Sequence, residues 1–140
     1  MGRRRTGRKL AMQVLYQVDV QGGNLDFILD HYIELGQFHS ETKDWASDLV
    51  NAAWEHVEGS DTKIKEYAID WDFSRINPVD KALLRLAFYE LMVAKVHPSI
   101  VIDEVLELAK KYSTDDSPKF LNGILGKYVE KECSQDSLKK

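Results

Sequence analysis

Apolar residues recur along most of this chain at the three- and four-residue spacing of an amphipathic helix. The pattern predicts seven helices in succession, separated by Gly22-Gly23, Gly36, Gly59, the segment Trp71–Ile76, His97-Pro98 and the polar residues 115–117. Strand-like alternation is hard to find, and proline is scarce at 3 residues. The sequence therefore predicts an all-α fold.

The segment Asn77–Lys95 has the most apolar of these patterns. Asn77 is suited to cap a helix N-terminus, and Pro78 to occupy its first position. The apolar residues that follow point to nearly every side of a helix: Leu83, Leu84, Leu86, Ala87, Phe88, Leu91 and Met92. A helix that is apolar on most sides must be surrounded by other elements, so this segment is predicted to be the centre of a helical core.

Three charged residues, Asp80, Arg85 and Glu90, interrupt that central helix. One interpretation is that they form a solvated stripe or pair with neighbouring helices. The other is that they form a polar face offered to a protein partner. Both interpretations are compatible with the spacing, and the sequence leaves them open.

Charge is distributed unevenly. The 140 residues carry a net charge of −4, yet Arg3, Arg4, Arg5, Arg8 and Lys9 place +5 in the first ten residues, so the remaining chain carries −9. In a helix these cations would repel one another at i, i+4 spacing and lie at the positive end of the helix dipole. The cluster is either a solvated, disordered terminus or an arm that binds phosphates and becomes ordered on contact.

Aromatic residues in the first and last helices are further candidates for contact with nucleic acid. Tyr16 is either a core residue or a ring exposed beside the basic cluster, where it could stack on a base. Phe120, close to Asp116 at the start of the last helix, has the same two interpretations. Gly123 in the middle of that helix predicts close packing of another backbone, because glycine otherwise weakens a helix.

Several function classes find no support. The sequence contains no phosphate-binding loop, dinucleotide-binding fingerprint, nucleophile elbow or HExxH zinc motif, and its 4 histidines lack ligand spacing. The single Cys133 excludes an internal disulfide framework and fits a reducing cytoplasm. No run reaches the about 20 apolar residues of a membrane span. We therefore predict a cytoplasmic protein that is not an enzyme and has no cofactor, metal or membrane partner.

An ordered set of motifs, from about Arg4 to Tyr128, resembles the NusB family of bacterial transcription antitermination factors. The motifs are the arginine group followed by Gln13, Leu15 and Tyr16; Trp71, Arg75 and Ile76; VDKALLRLAFYEL at 79–91; His97-Pro98 followed by Ile102-Asp103-Glu104; ELAKKY at 107–112; and KFLNGIL at 119–125. Gly7 stands where the family commonly has alanine, which predicts a more flexible arm.

The resemblance implies an all-α fold of two helical subdomains packed roughly crosswise, at residues 1–70 and 71–132, with a frayed tail at 133–140. It also implies a non-enzymatic role. NusB proteins pair with NusE, a small-subunit ribosomal protein, and the pair binds the boxA element of nascent RNA. The complex acts with other Nus factors to help RNA polymerase resist termination, chiefly on ribosomal RNA operons.

Residue roles follow from the same resemblance. The predicted RNA-binding residues are Arg3, Arg4, Arg5, Arg8, Lys9, Tyr16, Asp116 and Phe120. The predicted NusE-binding residues are Asp80, Arg85 and Glu90, on an exposed polar face of the central helix. The hypothesis is that the basic arm holds the RNA backbone, the first and last helices read bases, and the acidic remainder docks the basic partner.

Three other functions compete with this one. The first is an acidic helical adaptor that binds proteins without specific RNA binding. The second is a NusB-like domain of a ribosomal RNA methyltransferase, which the lack of a glycine-rich cofactor motif disfavours. The third is a helix-turn-helix DNA-binding domain, disfavoured because no predicted helix has a basic exposed face. The sequence leaves the oligomeric state open, including a homodimer.

Overall fold

The computed structural model describes residues 2–133, and most of them are helical. Seven α-helices follow one another: α1 Arg3–Gln21, α2 Leu25–Leu35, α3 Ser40–Glu55, α4 Val57–Tyr67, α5 Pro78–Met92, α6 Pro98–Tyr112 and α7 Ser117–Tyr128. A 3-10 turn at Phe73–Arg75 precedes α5, and a π-helical turn at Val129–Cys133 follows α7. None of the described residues lies in a strand, so the all-α prediction is confirmed.

Helix α5 is the centre of the fold, as its apolar pattern predicted. The Asn77 side chain accepts hydrogen bonds from the backbone N–H groups of Val79 at 2.8 Å and Asp80 at 3.4 Å, and so caps the helix. Helices α1, α3, α4, α6 and α7 all pack against it. Burial therefore extends around the whole helix, and Leu83, Leu84 and Phe88 are inaccessible to solvent.

One continuous apolar core runs through all seven helices. The division into subdomains at residues 70 and 71 stays a prediction, as does their crosswise packing. Of the predicted frayed tail, only Cys133 is described, at the end of the π-helical turn, and residues 134–140 lie outside the described part. Among the described helices, none is long and apolar enough to cross a membrane.

The basic cluster is helical, which corrects the expectation of a disordered arm. Helix α1 begins at Arg3 and therefore includes the whole basic cluster. A smaller correction concerns the third helix, which ends at Glu55 rather than near Gly59. Gly59 lies inside α4, because the chain resumes helical geometry one residue after α3 ends.

Two helical glycines differ from their sequence-based predictions in opposite ways. Gly7 is buried within α1, and a Cβ atom there would lie 2.5 Å from Cε3 of Trp45 on α3. This glycine therefore permits close approach of α3 rather than flexibility. Gly123 on α7 is exposed, and a Cβ there would meet no described atom within 4 Å. The prediction of close backbone packing at Gly123 is wrong.

Candidate nucleic-acid interface

The start of α1 carries a cluster of positive charge at the positive end of the helix dipole, which is unfavourable. Its first turn has no acidic residue, and its N-cap residue is Gly2, which offers no side chain to the free amides. Compensation therefore has to come from other helices. The structure supplies it through acidic and aromatic side chains on α3, α5 and α6.

Arg8 forms a buried, bidentate ion pair with Glu90. Its Nε lies 2.8 Å from Oε2 and its Nη2 lies 2.7 Å from Oε1 of that carboxylate. The two side chains are only 3% and 2% exposed. Paired donors and acceptors satisfy both charges away from water, so this contact fastens α1 to α5.

The other four cations are partnered nearer the surface. Arg3 forms an ion pair with Glu41 on α3, and Arg5 donates from Nε to Glu104 on α6 at 2.7 Å. The hydrogen bond to Glu104 and the negative charge of that carboxylate raise the pKa of Arg5. Arg4 lies 5.5 Å from the centre of the Trp45 ring, and Lys9 lies 5.3 Å from that of Tyr112.

These contacts show that the fold itself uses the basic cluster, which is therefore not a solvated, disordered terminus. Arg8 is sealed inside the protein, whereas Arg3 and Arg4 remain exposed and Arg5 and Lys9 are half-buried. Direct contact with a phosphate is therefore open to those four side chains. For Arg8 the geometry supports a positioning role, since the guanidinium already satisfies a buried carboxylate.

The polar residues of α5 are buried, which corrects the prediction of an exposed face for NusE. Asp80 accepts hydrogen bonds from the hydroxyl groups of Ser113 at 2.6 Å and Ser117 at 2.8 Å. Glu90 holds Arg8. Asp80, Arg85 and Glu90 are 5%, 6% and 1% exposed. Of the two interpretations left open, pairing with neighbouring elements is the one the structure shows.

Arg85 illustrates how this pairing works. Its Nε and Nη2 atoms donate to the carboxylate of Asp61 at 2.8 and 2.9 Å, and its Nη1 donates to Asp19 at 3.1 Å. Burial acts to lower the pKa of Arg85, but the hydrogen bonds that Arg85 donates to Asp61 and Asp19 and the negative charges of the two carboxylates together outweigh it, so the net shift is upward. The guanidinium thus stays charged and ties α5 to α1 and α4. The sequence held a signal for this, because a helix that is apolar on every side leaves its polar residues no solvent-facing position.

The remaining predicted RNA-binding residues lie in different environments. Tyr16 is half-buried and packs against the core. Asp116 is exposed just before α7, and Phe120 is half-buried one turn later. The Phe120 ring meets Trp71 edge-to-face, with ring centres 4.8 Å apart and planes at 71°. The structure thus brings Phe120 and Asp116 together with a tryptophan that the sequence placed in a motif but not in a site.

Trp71 and Phe120 border an open groove of about 510 Å³. One wall is the segment 67–71, at and after the end of α4, and the other is a stripe along α7 formed by Asp116, Lys119, Phe120, Gly123, Ile124 and Lys127. A smaller groove of about 250 Å³ is also lined by both rings, together with Arg75, Ile76, Asn77, Asp80, Thr114, Asp116 and Ser117. Trp71 is 59% exposed, unusually open for so large an apolar side chain.

Comparison with known proteins places this geometry in a family. The family model described as the NusB family matches residues 5–130. The chain belongs to the NusB family. The transcription antitermination protein NusB of Alkaliphilus oremlandii is 40% identical over 133 residues, which cover 92% of this chain and 94% of that protein. The resemblance found in the ordered motifs is therefore confirmed, and membership in a family of antitermination proteins confirms the prediction of a non-enzymatic role.

Solved structures agree with the fold. T. maritima NusB is 29% identical with a TM-score of 0.86, covering 100% of this chain and 99% of that one. A second match is to the antitermination factors NusB and NusE in complex with double-stranded RNA, at 31% identity and a TM-score of 0.80. That match covers 90% of this chain and 95% of the matched chain. The NusB-like arrangement of helices is thus confirmed.

Proposed function

We propose that this chain is a cytoplasmic transcription antitermination factor that pairs with NusE and, with it, binds boxA RNA of ribosomal RNA operons. The observation that carries the proposal is the similarity, over 90% of the chain, to a protein solved with NusE and RNA. In this role the complex acts on RNA polymerase together with other Nus factors. The exposed cations of α1 and the groove at α7 supply the chemistry that RNA binding requires.

The cations of α1 attract and hold the RNA backbone in this proposal. Arg3, Arg4, Arg5 and Lys9 retain exposed surface, whereas Arg8 keeps α1 in place on α5. Single-strand binding loses affinity with salt at a log–log slope of about −0.7 per neutralised phosphate, so four cations give at most about −3. Such a modest contribution favours a partner that adds contacts to the same RNA.

NusE docks elsewhere than on Asp80, Arg85 and Glu90 in this proposal, because all three are buried and paired within the chain. The net −9 outside the first ten residues provides attraction for a basic ribosomal protein. The three buried residues act indirectly, since they hold α5 against α1, α4 and the start of α7.

An acidic adaptor without specific RNA binding is the second candidate. It is favoured by the finding that Arg3, Arg5 and Arg8 all pair with carboxylates of this chain. If these pairs persist in the presence of RNA, the cations neutralise acids instead of phosphates. The two candidates differ in how steeply RNA affinity depends on salt.

A titration distinguishes them. A boxA-like single strand and a scrambled strand are titrated with and without NusE, at several salt concentrations, into wild type and Arg4→Ala/Arg5→Ala. We expect NusE to favour boxA over the scrambled strand, and the double variant to weaken binding and flatten the slope by about 1.4. The matched control is Lys65→Ala/Lys95→Ala, which removes the same charge from exposed positions on α4 and after α5.

Three results would count against the proposal. Equal affinity for boxA and scrambled RNA in the presence of NusE contradicts specific recognition. A salt slope near zero, unchanged by the arginine substitutions, supports the adaptor instead. An equal loss in the lysine control would show that net charge, and not the start of α1, determines binding.

A further inference from the structure

Trp71 is more exposed than expected for a large apolar side chain, and its position in the connector between α4 and α5 does not explain this exposure. It lies between α4 and the 3-10 turn, and 59% of it is exposed although the ring is large and apolar. One side is supported edge-to-face by Phe120, with ring centres 4.8 Å apart. A ring that is braced from one side and open on the other is suited to stacking against a flat partner.

We propose that Trp71 and Phe120 form a subsite for one unpaired nucleobase, with Trp71 as the stacking platform. The proposal rests on the proposed function, because the base belongs to the RNA that the chain binds. It adds a recognition residue, Trp71, to those predicted from the sequence. It also requires the RNA to be single-stranded at this point, since a base inside a duplex is stacked on its neighbours and has no free face to offer the Trp71 ring.

The shape of the groove fits such an occupant. Its volume of about 510 Å³ accommodates a base with its ribose, and Gly123 adds no side chain at the middle of the α7 wall. Lys119 and Lys127 are exposed and lie four residues to either side of Gly123, on the same face of α7. The two lysines therefore place positive charge along one wall, where a phosphate can pass.

Acidic residues in the same groove determine how a bound nucleotide is oriented. Asp70 and Asp116 both line it and are exposed. Carboxylates repel phosphates but accept hydrogen bonds from base amino groups, as glutamate and aspartate do toward cytosine N4. The arrangement therefore directs the backbone toward the lysines and favours a base that carries an amino group.

Tyr112 and Thr114 link the basic start of α1 to the groove. Lys9 lies 5.3 Å from the centre of the Tyr112 ring, which is 38% exposed at the end of α6. Two residues further on, Thr114 lines the smaller groove together with Trp71 and Phe120. A strand held by the cations of α1 can thus follow Tyr112 to the Trp71–Phe120 groove.

The test measures affinity of the NusE complex for boxA-like single strands in which one nucleotide at a time is abasic. We expect one position at which base removal weakens wild type about tenfold or more, as stacked bases do. Trp71→Ala should lose a similar factor on intact RNA and lose little more on that abasic strand, because both changes remove the same contact. Trp71→Phe, which keeps an aromatic face, should stay within about threefold of wild type.

Further variants separate the groove from general effects. Gly123→Leu should weaken binding by filling the groove without altering either ring, and helix propensity favours its folding. Phe27→Ala is the matched control, because it removes an exposed aromatic ring, 74% accessible, from α2. It should leave RNA affinity unchanged. Circular dichroism spectra that match the spectrum of wild type show that the fold of each variant is intact.

Several outcomes overturn the subsite. If Trp71→Ala binds boxA like wild type while Arg4→Ala/Arg5→Ala is weakened, the subsite is wrong and the proposed function stands. If Trp71→Ala loses affinity for NusE but not for RNA, the groove is a protein-binding site. If wild type with NusE does not distinguish boxA from scrambled RNA, the proposed function fails and the subsite fails with it.

Discussion

The start of α1 and the start of α7 both carry residues predicted to bind RNA, but the fold treats them differently. At α1 the cations are engaged by this chain's own side chains, and Arg8 is only 3% exposed in its pair with Glu90. At α7, Phe120 and Lys119 border an open groove, across which Trp71 is 59% exposed. Positive charge is concentrated at the first site, and accessible aromatic surface at the second.

The difference shows that charge by itself does not identify a binding surface. The cations of α1 have two tasks, because they hold an unfavourable helix start against neighbouring acids and offer their remaining surface to a ligand. The aromatic pair at α7 leaves much of its apolar surface in water. We therefore expect substitutions at α1 to affect stability most, and substitutions in the groove to affect recognition most.

The largest stability effect should come from Arg8→Ala. This change leaves Glu90 without its partner at a position that is 1% exposed, and breaking a buried ion pair in this way costs about 3–5 kcal/mol. Urea unfolding followed by circular dichroism measures the free energy of unfolding.

Two further variants test whether the unpaired carboxylate of Glu90 causes the loss of stability. Arg8→Met/Glu90→Leu replaces the whole pair with apolar side chains and should recover most of the lost stability. Arg3→Ala removes an exposed cation paired with Glu41 and should change stability by less than about 1 kcal/mol. If Arg8→Ala is no worse than Arg3→Ala, the pair does not fasten α1 to α5.

A second effect at α1 should come from Gly7→Ala. Alanine ordinarily stabilises a helix by about 1 kcal/mol relative to glycine. Here its Cβ would lie 2.5 Å from the Trp45 ring, and overpacking of this kind costs about 1–3 kcal/mol. We expect a net loss of up to about 2 kcal/mol in thermal unfolding. In a Trp45→Ala background the same change should instead stabilise the protein, and a loss there would exclude the clash as the cause.

Much of the fold could be predicted because it depends on local patterns. The apolar residues around α5 identify a surrounded helix, and Asn77 followed by Pro78 marks where it begins. The family followed from several motifs in a fixed order. Each of these signals lies within a short stretch of sequence.

The candidate site was harder to predict, because it depends on contacts between distant parts of the chain. Arg8 and Glu90 are 82 positions apart, and helical periodicity does not indicate which acid will face which cation. Gly7 and Gly123 likewise appear equivalent in sequence, although one lies beneath a tryptophan and the other borders open space. The proposed role of Trp71 depends on its contact with Phe120 on α7, and the local sequence around Trp71 does not predict that contact.

The matching substitution at α7, Gly123→Ala, should have the opposite sign to Gly7→Ala. The position is exposed and helical, and an added Cβ would meet none of the described atoms within 4 Å. Only the helix propensity of alanine remains, so we expect a gain of up to about 1 kcal/mol in the free energy of unfolding. A loss of stability would mean that the groove is narrower than the structure shows.

The smallest effect on stability should come from a surface cluster just after the C-terminal end of α7. Here, as at the start of α1, a cation is paired with a carboxylate of another element. Glu132 accepts hydrogen bonds from the Tyr67 hydroxyl and from Lys63 at 3.0 Å. Burial acts to raise the pKa of Glu132, but these two hydrogen bonds and the positive charges of Lys63 and Lys131 together outweigh it and hold the pKa below its usual 4.5. Because the folded state binds this proton less readily than the unfolded state, the cluster stabilises the protein above about pH 4.5, and that stability is lost as the pH falls through the folded-state pKa.

Glu132→Gln should therefore lower stability at pH 7 by less than about 1 kcal/mol and reduce the loss of stability on acidification. Unfolding free energies measured from pH 7 to pH 3 test both effects. Glu58→Gln, which changes an exposed acid on α4, is the matched control and should leave the pH profile of wild type unaltered. If the Glu132 variant keeps the full acid sensitivity, the acid lability belongs to other carboxylates. The buried Glu90, which joins α5 to α1 through Arg8, would then be the next carboxylate to substitute.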